Sequence, residues 1–330
     1  MNVIYSARYD LDLGSHVFPA SKYRLVHDRL LRSGTITPSD VIEPEPASWS
    51  HLGLVHRPEY LAKMRDGTLT PDERDQLQLP WSRTLVDAFR TMVGGTSQAA
   101  LIASGLEVRS SKSEVRSHST SSTSTSNYRL HTSNFRVVCH IGGGLHHAFP
   151  GHGEGFCPFN DVAVATRLMQ ARGFERVAII DLDVHHGNGT AFIFESDPRV
   201  FTFSMHQQYN YPAWKPRGSL DIGLPDGIGD ETFLARLQDA LPGVLASDPE
   251  CVFYLAGADP FEDDQLGGLR LTRTALRTRD RMVIEAVRHG GHPLVVVLAG
   301  GYGRRLDDTV AIHAATIEEA RRVSGAVRSG

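Results

Sequence analysis

Ile179-Ile180-Asp181-Leu182-Asp183-Val184-His185-His186-Gly187-Asn188-Gly189 is the stretch on which the reading of this chain turns. An apolar run, Val177 to Ile180, enters it with the pattern of a buried strand, and a burst of metal-capable side chains ends it on glycines. Side chains alternate faces along a strand, so Asp181, Asp183 and His185 should point the same way where the strand runs out. That is half of a metal site. Acidic residues at strand ends also cap the helices that follow, so the rest of the chain has to decide.

Outward from this stretch the chain is regular. Strands are predicted over Val137 to Ile141, Arg176 to Leu182, Val200 to Met205, Val252 to Ala256 and Pro293 to Leu298. Helices are predicted between them over Asp161 to Ala171, Asp230 to Leu245 and Thr272 to Arg288, with a closing one over Leu306 to Val323. This alternation implies an α/β fold of three layers, a mostly parallel central sheet with helices on both faces. Functional sites in such folds form at the carboxyl ends of the strands. Nearer the N-terminus, Val3 to Ser6 reads as a strand, and Ala20 to Leu31, Pro58 to Met64 and Ser82 to Leu106 as helices. Pro44, Pro46 and their polar neighbours read as a connector, and Gly94-Gly95 as a bend in the third helix.

One segment breaks the pattern. Glu107 to Asn134 is dominated by Ser and Thr and is too polar to bury a core. It repeats itself: Glu107-Val108-Arg109-Ser110 returns as Glu114-Val115-Arg116-Ser117, and Thr125-Ser126-Asn127-Tyr128-Arg129 returns as Thr132-Ser133-Asn134-Phe135-Arg136. The repeated positions lack the apolar seam of a coiled coil, so the segment reads as a duplicated surface insertion in a single catalytic domain over residues 1–330.

Composition narrows the function classes. A net charge of -4, from 34 basic and 38 acidic residues without long runs of either sign, gives no footprint for nucleic acid or an anionic membrane. Cys139, Cys157 and Cys251 are an odd number at no ligand-like spacing, which suggests neither disulfides nor a cysteine zinc site. There is no signal-peptide pattern and no membrane-length apolar run. The expectation is a soluble, cytoplasmic chain. Sixteen histidines, several in small clusters, are what an acid/base or metal site would leave behind.

Four apolar strands end in chemically loaded loops: Ile141-Gly142-Gly143-Gly144-Leu145-His146-His147, Asp181 to His186, Leu255-Ala256-Gly257-Ala258-Asp259, and Leu298-Ala299-Gly300-Gly301-Tyr302. If these ends converge, Asp183, His185 and Asp259 can hold a metal and leave positions open for water and substrate. The oxygen-rich set leaves room for more than one divalent ion, iron(II) among them. Cys157 lies close in sequence but has no evident partner base, so it reads as packing.

Together with Gly155-Phe156-Cys157-Pro158-Phe159-Asn160-Asp161, these motifs resemble the histone deacetylase superfamily over nearly the whole chain. Asp264-Gln265-Leu266-Gly267-Gly268-Leu269, after Gly257-Ala258-Asp259, is similar to class IV members and their bacterial relatives. The resemblance implies the arginase/deacetylase fold, with Asp183, His185 and Asp259 as zinc ligands. It implies that His147 exchanges protons with water and the leaving amine, with His146 beside it. Asp181 stands behind His146, and Asn188 behind His147 where class I enzymes have Asp. Tyr302 matches the tyrosine that polarises the substrate carbonyl. Phe156 matches one wall of a lysine slot flanked by Gly155 and Gly301, and Tyr211 is the candidate for the other wall.

The same resemblance implies a structural potassium ion on Asp181, the backbone carbonyls of Asp183, His185 and Met205, and the Ser204 hydroxyl. Lys22 falls near a channel-lining position, and a plain surface lysine is the competing reading. The rim aspartate of class I enzymes has no counterpart near Leu79-Pro80-Trp81-Ser82.

The expected activity is therefore metal-dependent hydrolysis of N-acyl-lysine side chains in proteins or peptides, from acetyl to longer acyl groups. An acetylpolyamine or other small-amide substrate is the nearest alternative. A non-catalytic acyl-lysine-binding module and a two-manganese ureohydrolase lie further off.

Overall fold

The computed structural model describes residues 1–106 and 136–325. The Ser/Thr-rich insertion expected at 107–134 lies outside the described residues. Short β-branched, apolar runs form eight strands: β1 (Asn2–Ile4), β2 (Val41–Ile42), β3 (Val137–His140), β4 (Val177–Asp181), β5 (Val200–Gln207), β6 (Leu220–Leu224), β7 (Cys251–Leu255) and β8 (Leu294–Val297). They make one sheet in the order β2-β1-β3-β8-β7-β4-β5-β6. Every pairing in it is parallel, so all the carboxyl ends lie along one edge.

Ten helices accompany the sheet among the described residues: α1 (Lys22–Arg32), α2 (Trp49–Leu52), α3 (Pro58–Asp66), α4 (Pro71–Leu77), α5 (Arg83–Ala103), α6 (Asp161–Gln170), α7 (Asn188–Phe194), α8 (Asp230–Leu245), α9 (Arg273–His289) and α10 (Leu306–Gly325). The alternation of strand side chains divides the core between two faces. Val138, Ile179, Phe253, Val295 and Val297 pack with α5 and α6 through Ala99, Ala103, Val162 and Met169. Cys139, Ile180, Tyr254 and Val296 pack on the other side with α1, α8, α9 and α10 through Leu30, Leu237, Val283 and Ile317. Each layer of helices therefore holds the sheet from one side, and the site-bearing strands β3, β8, β7 and β4 are adjacent at its centre.

Some elements depart from the sequence reading. Helix α5 runs unbroken through Gly94-Gly95. The glycines there serve close approach rather than bending: a Cβ on Gly94 would strike the Glu45 carbonyl, and one on Gly95 would strike the His140 ring. Strand β6 is a half-exposed edge strand interrupted by Gly223, which weakens its apolar signal. Helix α4 sits where no helix was expected, although its start is legible. Thr70 Oγ1 accepts the Glu73 N–H at 3.2 Å, Glu73 takes the Thr70 N–H at 2.8 Å, and Pro71 follows the cap. Among the described residues no helix is long and apolar enough to cross a membrane.

Candidate active site

Asp181 closes β4, and the next four residues leave the sheet as a loop against the ends of β7 and β8. Arg279 of α9 fixes that junction. Fully buried, it donates from Nη1 to the carbonyls of Leu182 at 3.3 Å and Gly257 at 2.6 Å, tying the ends of β4 and β7 together. Its own charge is met by Asp280, which also accepts the Tyr254 and Thr316 hydroxyls at 2.5 and 2.6 Å.

Over this junction Asp183, His185 and Asp259 come together, one ligand atom from each lying within 4.8 Å of the others, all buried. Asp183 Oδ2 accepts the Gly300 N–H at 2.7 Å, and Asp259 Oδ1 accepts the Val184 N–H at 2.9 Å. Asp259 Oδ2 accepts no hydrogen bond despite complete burial, although His185 Nδ1 stands 3.4 Å away. Burial and the neighbouring Asp183 carboxylate push Asp259 up to about 7. Two crowded carboxylates, an orphaned oxygen and an imidazole are a donor set that a divalent cation relieves. Gly300 must be glycine for this approach, since a Cβ there would collide with both carboxylates.

The loop after β3 supplies the histidines. Asp161, at the start of α6, accepts the Leu145 N–H at 2.7 Å, the Gly144 N–H at 3.1 Å and the Thr96 hydroxyl at 2.5 Å, pinning the turn that leads into His146. His140 extends this buried network, 2.9 Å from both Thr96 Oγ1 and the Tyr9 hydroxyl. His146 Nδ1 lies 2.7 Å from Asp181 Oδ2, and His147 Nδ1 lies 2.7 Å from Asn188 Oδ1. The two Nε2 atoms are 3.1 Å apart.

Burial opposes a charge on His146, but Asp181 and Asp183 outweigh it and hold this imidazole up to about 9. Burial takes His147 well below its ordinary value, assisted by the charges of His146 and His185. The two imidazoles are thus shifted in opposite directions.

Tyr302 faces the same cavity, which Phe18, Tyr23, Phe156 and Cys157 also line. Its loop is held by Asp264 and Gln265: the Tyr302 N–H donates to Asp264 Oδ2 at 2.7 Å, and Gln265 Nε2 donates to the Tyr302 carbonyl at 2.9 Å. Phe156 has φ 66°, a left-handed conformation that L residues adopt only under constraint, and its ring centroid is 5.8 Å from that of Tyr302. Tyr211 packs edge-on against His147, ring centroids 5.0 Å apart, and its hydroxyl donates to Glu154 Oε1 at 3.0 Å. Gly155 lies between them, with a Cβ there 2.8 Å from His147 and 3.0 Å from Tyr211. Gly301 is in the same loop as Tyr302, packed on Thr309, Ala258 and His313.

The surface reading of Lys22 is overturned. It is fully buried, its Nζ donating to the Ala299 carbonyl at 2.9 Å and lying 5.5 Å from the Tyr302 ring centroid. Its sequence neighbours made it look like an exposed helix start, and only the tertiary fold covers it. Asp181 and Ser204 are register partners across β4 and β5, which brings the expected potassium side chains together; Ser204 Oγ is 3.0 Å from His206 Nδ1. Cys157 is buried, its thiol pushed well up by burial and 3.4 Å from the Gly155 carbonyl, which suits packing and not nucleophilic attack. Sequence reasoning missed Arg279, Thr96 and Glu154. Nothing in their local pattern marks them, because each acts across the fold.

Comparison with known proteins agrees with this geometry. The family model described as histone deacetylase domain matches residues 16–317. An uncharacterized protein of Picosynechococcus is 42% identical over 310 residues, 93% of this chain and 94% of that protein. Acetoin utilization protein AcuC of Bacillus subtilis is 29% identical, covering 91% of this chain and 76% of its own, and histone deacetylase 2 of Arabidopsis thaliana is 28% identical, covering 92% and 74%. Among solved structures, an HDAC homolog complexed with SAHA superposes with a TM-score of 0.75 at 24% identity, over 98% of this chain and 84% of that one. An HDAC homolog from Aquifex aeolicus superposes with a TM-score of 0.74 at 23% identity, over 98% and 84%. With a buried Asp-His-Asp centre, paired histidines and a matched family model over most of its length, the chain belongs to the histone deacetylase family.

Proposed function

We propose that this protein is a metal-dependent amidohydrolase that removes acyl groups from lysine side chains of proteins or peptides, acting as one catalytic unit built on the single sheet. The observation that carries the reading is the placement of His146 and His147, Nε2 atoms 3.1 Å apart, beside the Asp183, His185 and Asp259 cluster, with Tyr302 on the same cavity. Zinc is the cation that best suits two carboxylates and one imidazole with open positions, and iron(II) is compatible with the same set. Held there, the cation supplies Lewis acidity at the substrate carbonyl.

The chain's own residues do the rest. Neutral His147 accepts the proton of the attacking water at Nε2 as the water oxygen bonds to the carbonyl carbon, and returns it to the lysine nitrogen as the C–N bond breaks. Cationic His146, anchored by Asp181, stabilises the negative charge that develops nearby. The Tyr302 hydroxyl donates to the oxyanion. Phe156, Gly155 and Gly301 bound a slot that suits an aliphatic stem and excludes water, with Tyr211 behind His147. Lys22 supports the Ala299 to Tyr302 loop from below. A potassium ion on Asp181, Ser204 and the carbonyls of Asp183, His185 and Met205 would brace the β4 loop, a reading supported by the Asp181–Ser204 register. A cytoplasmic location, with acylated protein or peptide as the partner, is part of the same proposal.

The test is turnover on a lysine-peptide panel from acetyl to long-chain acyl, alongside acetylpolyamines, with added zinc or iron(II). Lysine peptides should be hydrolysed to carboxylate and free lysine. Preference for acetylpolyamines would overturn the substrate assignment.

A further inference from the structure

Glu154 lies on the turn between His152 and Phe156, strapped to α4 by the Gly155 N–H on the Gln76 carbonyl at 3.2 Å and the Phe156 N–H on the Leu77 carbonyl at 3.0 Å. Its carboxylate is the busiest acceptor near the histidines. Oε1 accepts the Asn188 amide at 2.7 Å and the Tyr211 hydroxyl at 3.0 Å, while Oε2 accepts the Gln76 amide at 3.0 Å and lies 3.3 Å from His152 Nε2. Nothing in the hydrolytic scheme above uses it.

Its effect on His147 follows from donor and acceptor arithmetic. A side-chain amide can present either its oxygen or its nitrogen to a neighbour. With Asn188 Nδ2 committed to the Glu154 carboxylate, Asn188 Oδ1 must face the imidazole, where it lies 2.7 Å from Nδ1. An acceptor at that place demands a proton on Nδ1, which leaves the lone pair on Nε2, 3.1 Å from His146 Nε2, whose proton favours the same tautomer from the other side of the ring. We propose that Glu154 is a positioning residue that, through Asn188, fixes His147 in its Nδ1–H tautomer, and that the same carboxylate seats Tyr211 against the ring. A carboxylate thus stands behind each histidine of the pair, directly for His146 and one amide removed for His147.

The catalytic consequence rests on the amidohydrolase reading; the tautomer does not. Two measurements on the full-length, zinc-loaded protein separate them. In the first, 15N-histidine NMR, with the His147 signal assigned by its loss in His147→Ala, should show the Nδ1–H form in the wild type. His146→Ala, which removes the group facing Nε2, should keep that form; adding Glu154→Ala should give a mixture of tautomers, and adding Glu154→Gln instead, whose amide oxygen still accepts from Asn188, should keep the wild-type form. In the second, Glu154→Ala should lower kcat about tenfold, as loss of a partner behind a site ligand typically does.

Asn188→Asp alone would set two carboxylates against each other and should lose activity. Combining it with Glu154→Gln should restore much of that loss. A wild-type tautomer in the His146→Ala/Glu154→Ala variant, or no recovery in Asn188→Asp/Glu154→Gln, would overturn the proposal. A wild type that hydrolyses none of the panel would overturn the amidohydrolase reading instead, and the NMR result would still decide the role of Glu154.

Discussion

Asp264 Oδ2 accepts the backbone N–H of Tyr302 at 2.7 Å, while its other oxygen accepts the N–H groups of Leu266 and Gly267 at 2.8 and 3.1 Å. The buried carboxylate therefore ties the loop that carries Tyr302 to the Asp264–Gly267 turn. In Asp264→Asn one of these oxygens becomes an amide donor, and a buried N–H is left unpaired at a cost of about 1–3 kcal/mol. If the amide nitrogen turns toward Tyr302, the phenol loses its registration with the carbonyl. Turnover should then fall by up to about 10²-fold, with substrate binding changed far less. Steady-state kinetics of this variant check it, and an unchanged kcat would refute the link.

Tyr302→Phe removes only the hydroxyl. Loss of a single oxyanion donor costs about 10²- to 10³-fold in rate. Thermal unfolding should be nearly unaffected, because the ring keeps its packing against Phe156. Turnover equal to wild type would remove the hydroxyl from the mechanism.

Metal binding should stabilise the fold as well as permit turnover. Asp183 and Asp259 repel each other in the cation-free protein, and a cation at about 100 times its Kd adds about 2.7 kcal/mol. Chelation should lower Tm and zinc should restore it. Asp259→Asn, which removes the like charge, should unfold in chelator no earlier than wild type and should lose the response to zinc. Calorimetry with and without chelator reads both outcomes.

Glu319 of α10 is surrounded by Arg277, Arg281 and Arg322, with Nε atoms at 2.7, 3.1 and 2.9 Å. Burial would raise its carboxyl, but the three arginines prevail and hold it at about 2. A depressed carboxyl stabilises the fold above its unfolded value of about 4.3, and that contribution is lost as pH falls toward 2. The arginines are 43%, 44% and 48% exposed, so solvent screening limits the effect to roughly 1–2 kcal/mol. Denaturant titrations at pH 7 and pH 3 should show Glu319→Gln destabilised at the higher pH and converging on wild type at the lower.

The fold was largely legible because strand and helix periods alternate so regularly from Val137 onward. The crossover helices implied a mostly parallel sheet, and the structure pairs every strand in parallel. The metal cluster was legible because glycine-flanked Asp and His residues concentrate at strand ends, where side-chain alternation and the edge rule can be applied. What stayed hidden acts over distance. Lys22 looks like a polar helix start until α10 and the Ala299 loop cover it, and Arg279 is one arginine among several on α9 until its contacts with Leu182 and Gly257 are seen. Glu154 has no signature at all, because its meaning comes from Asn188 and Tyr211, which reach it from elements 34 and 57 residues away.

Strand β8 lies between β3 and β7, so two central neighbours in the sheet meet only through a segment made long after the first of them. During synthesis β3 must wait more than 150 residues for the partner that pairs Val137 with Leu294. Such distant pairing slows folding, although the closure cost itself grows only slowly with loop length. Assembly of the centre is consequently a late event. An emerging chain that already carries both histidines, Asp183 and Asp259 still lacks the strand that aligns them, and Gly300 and Tyr302 reach the site only after β8 has emerged.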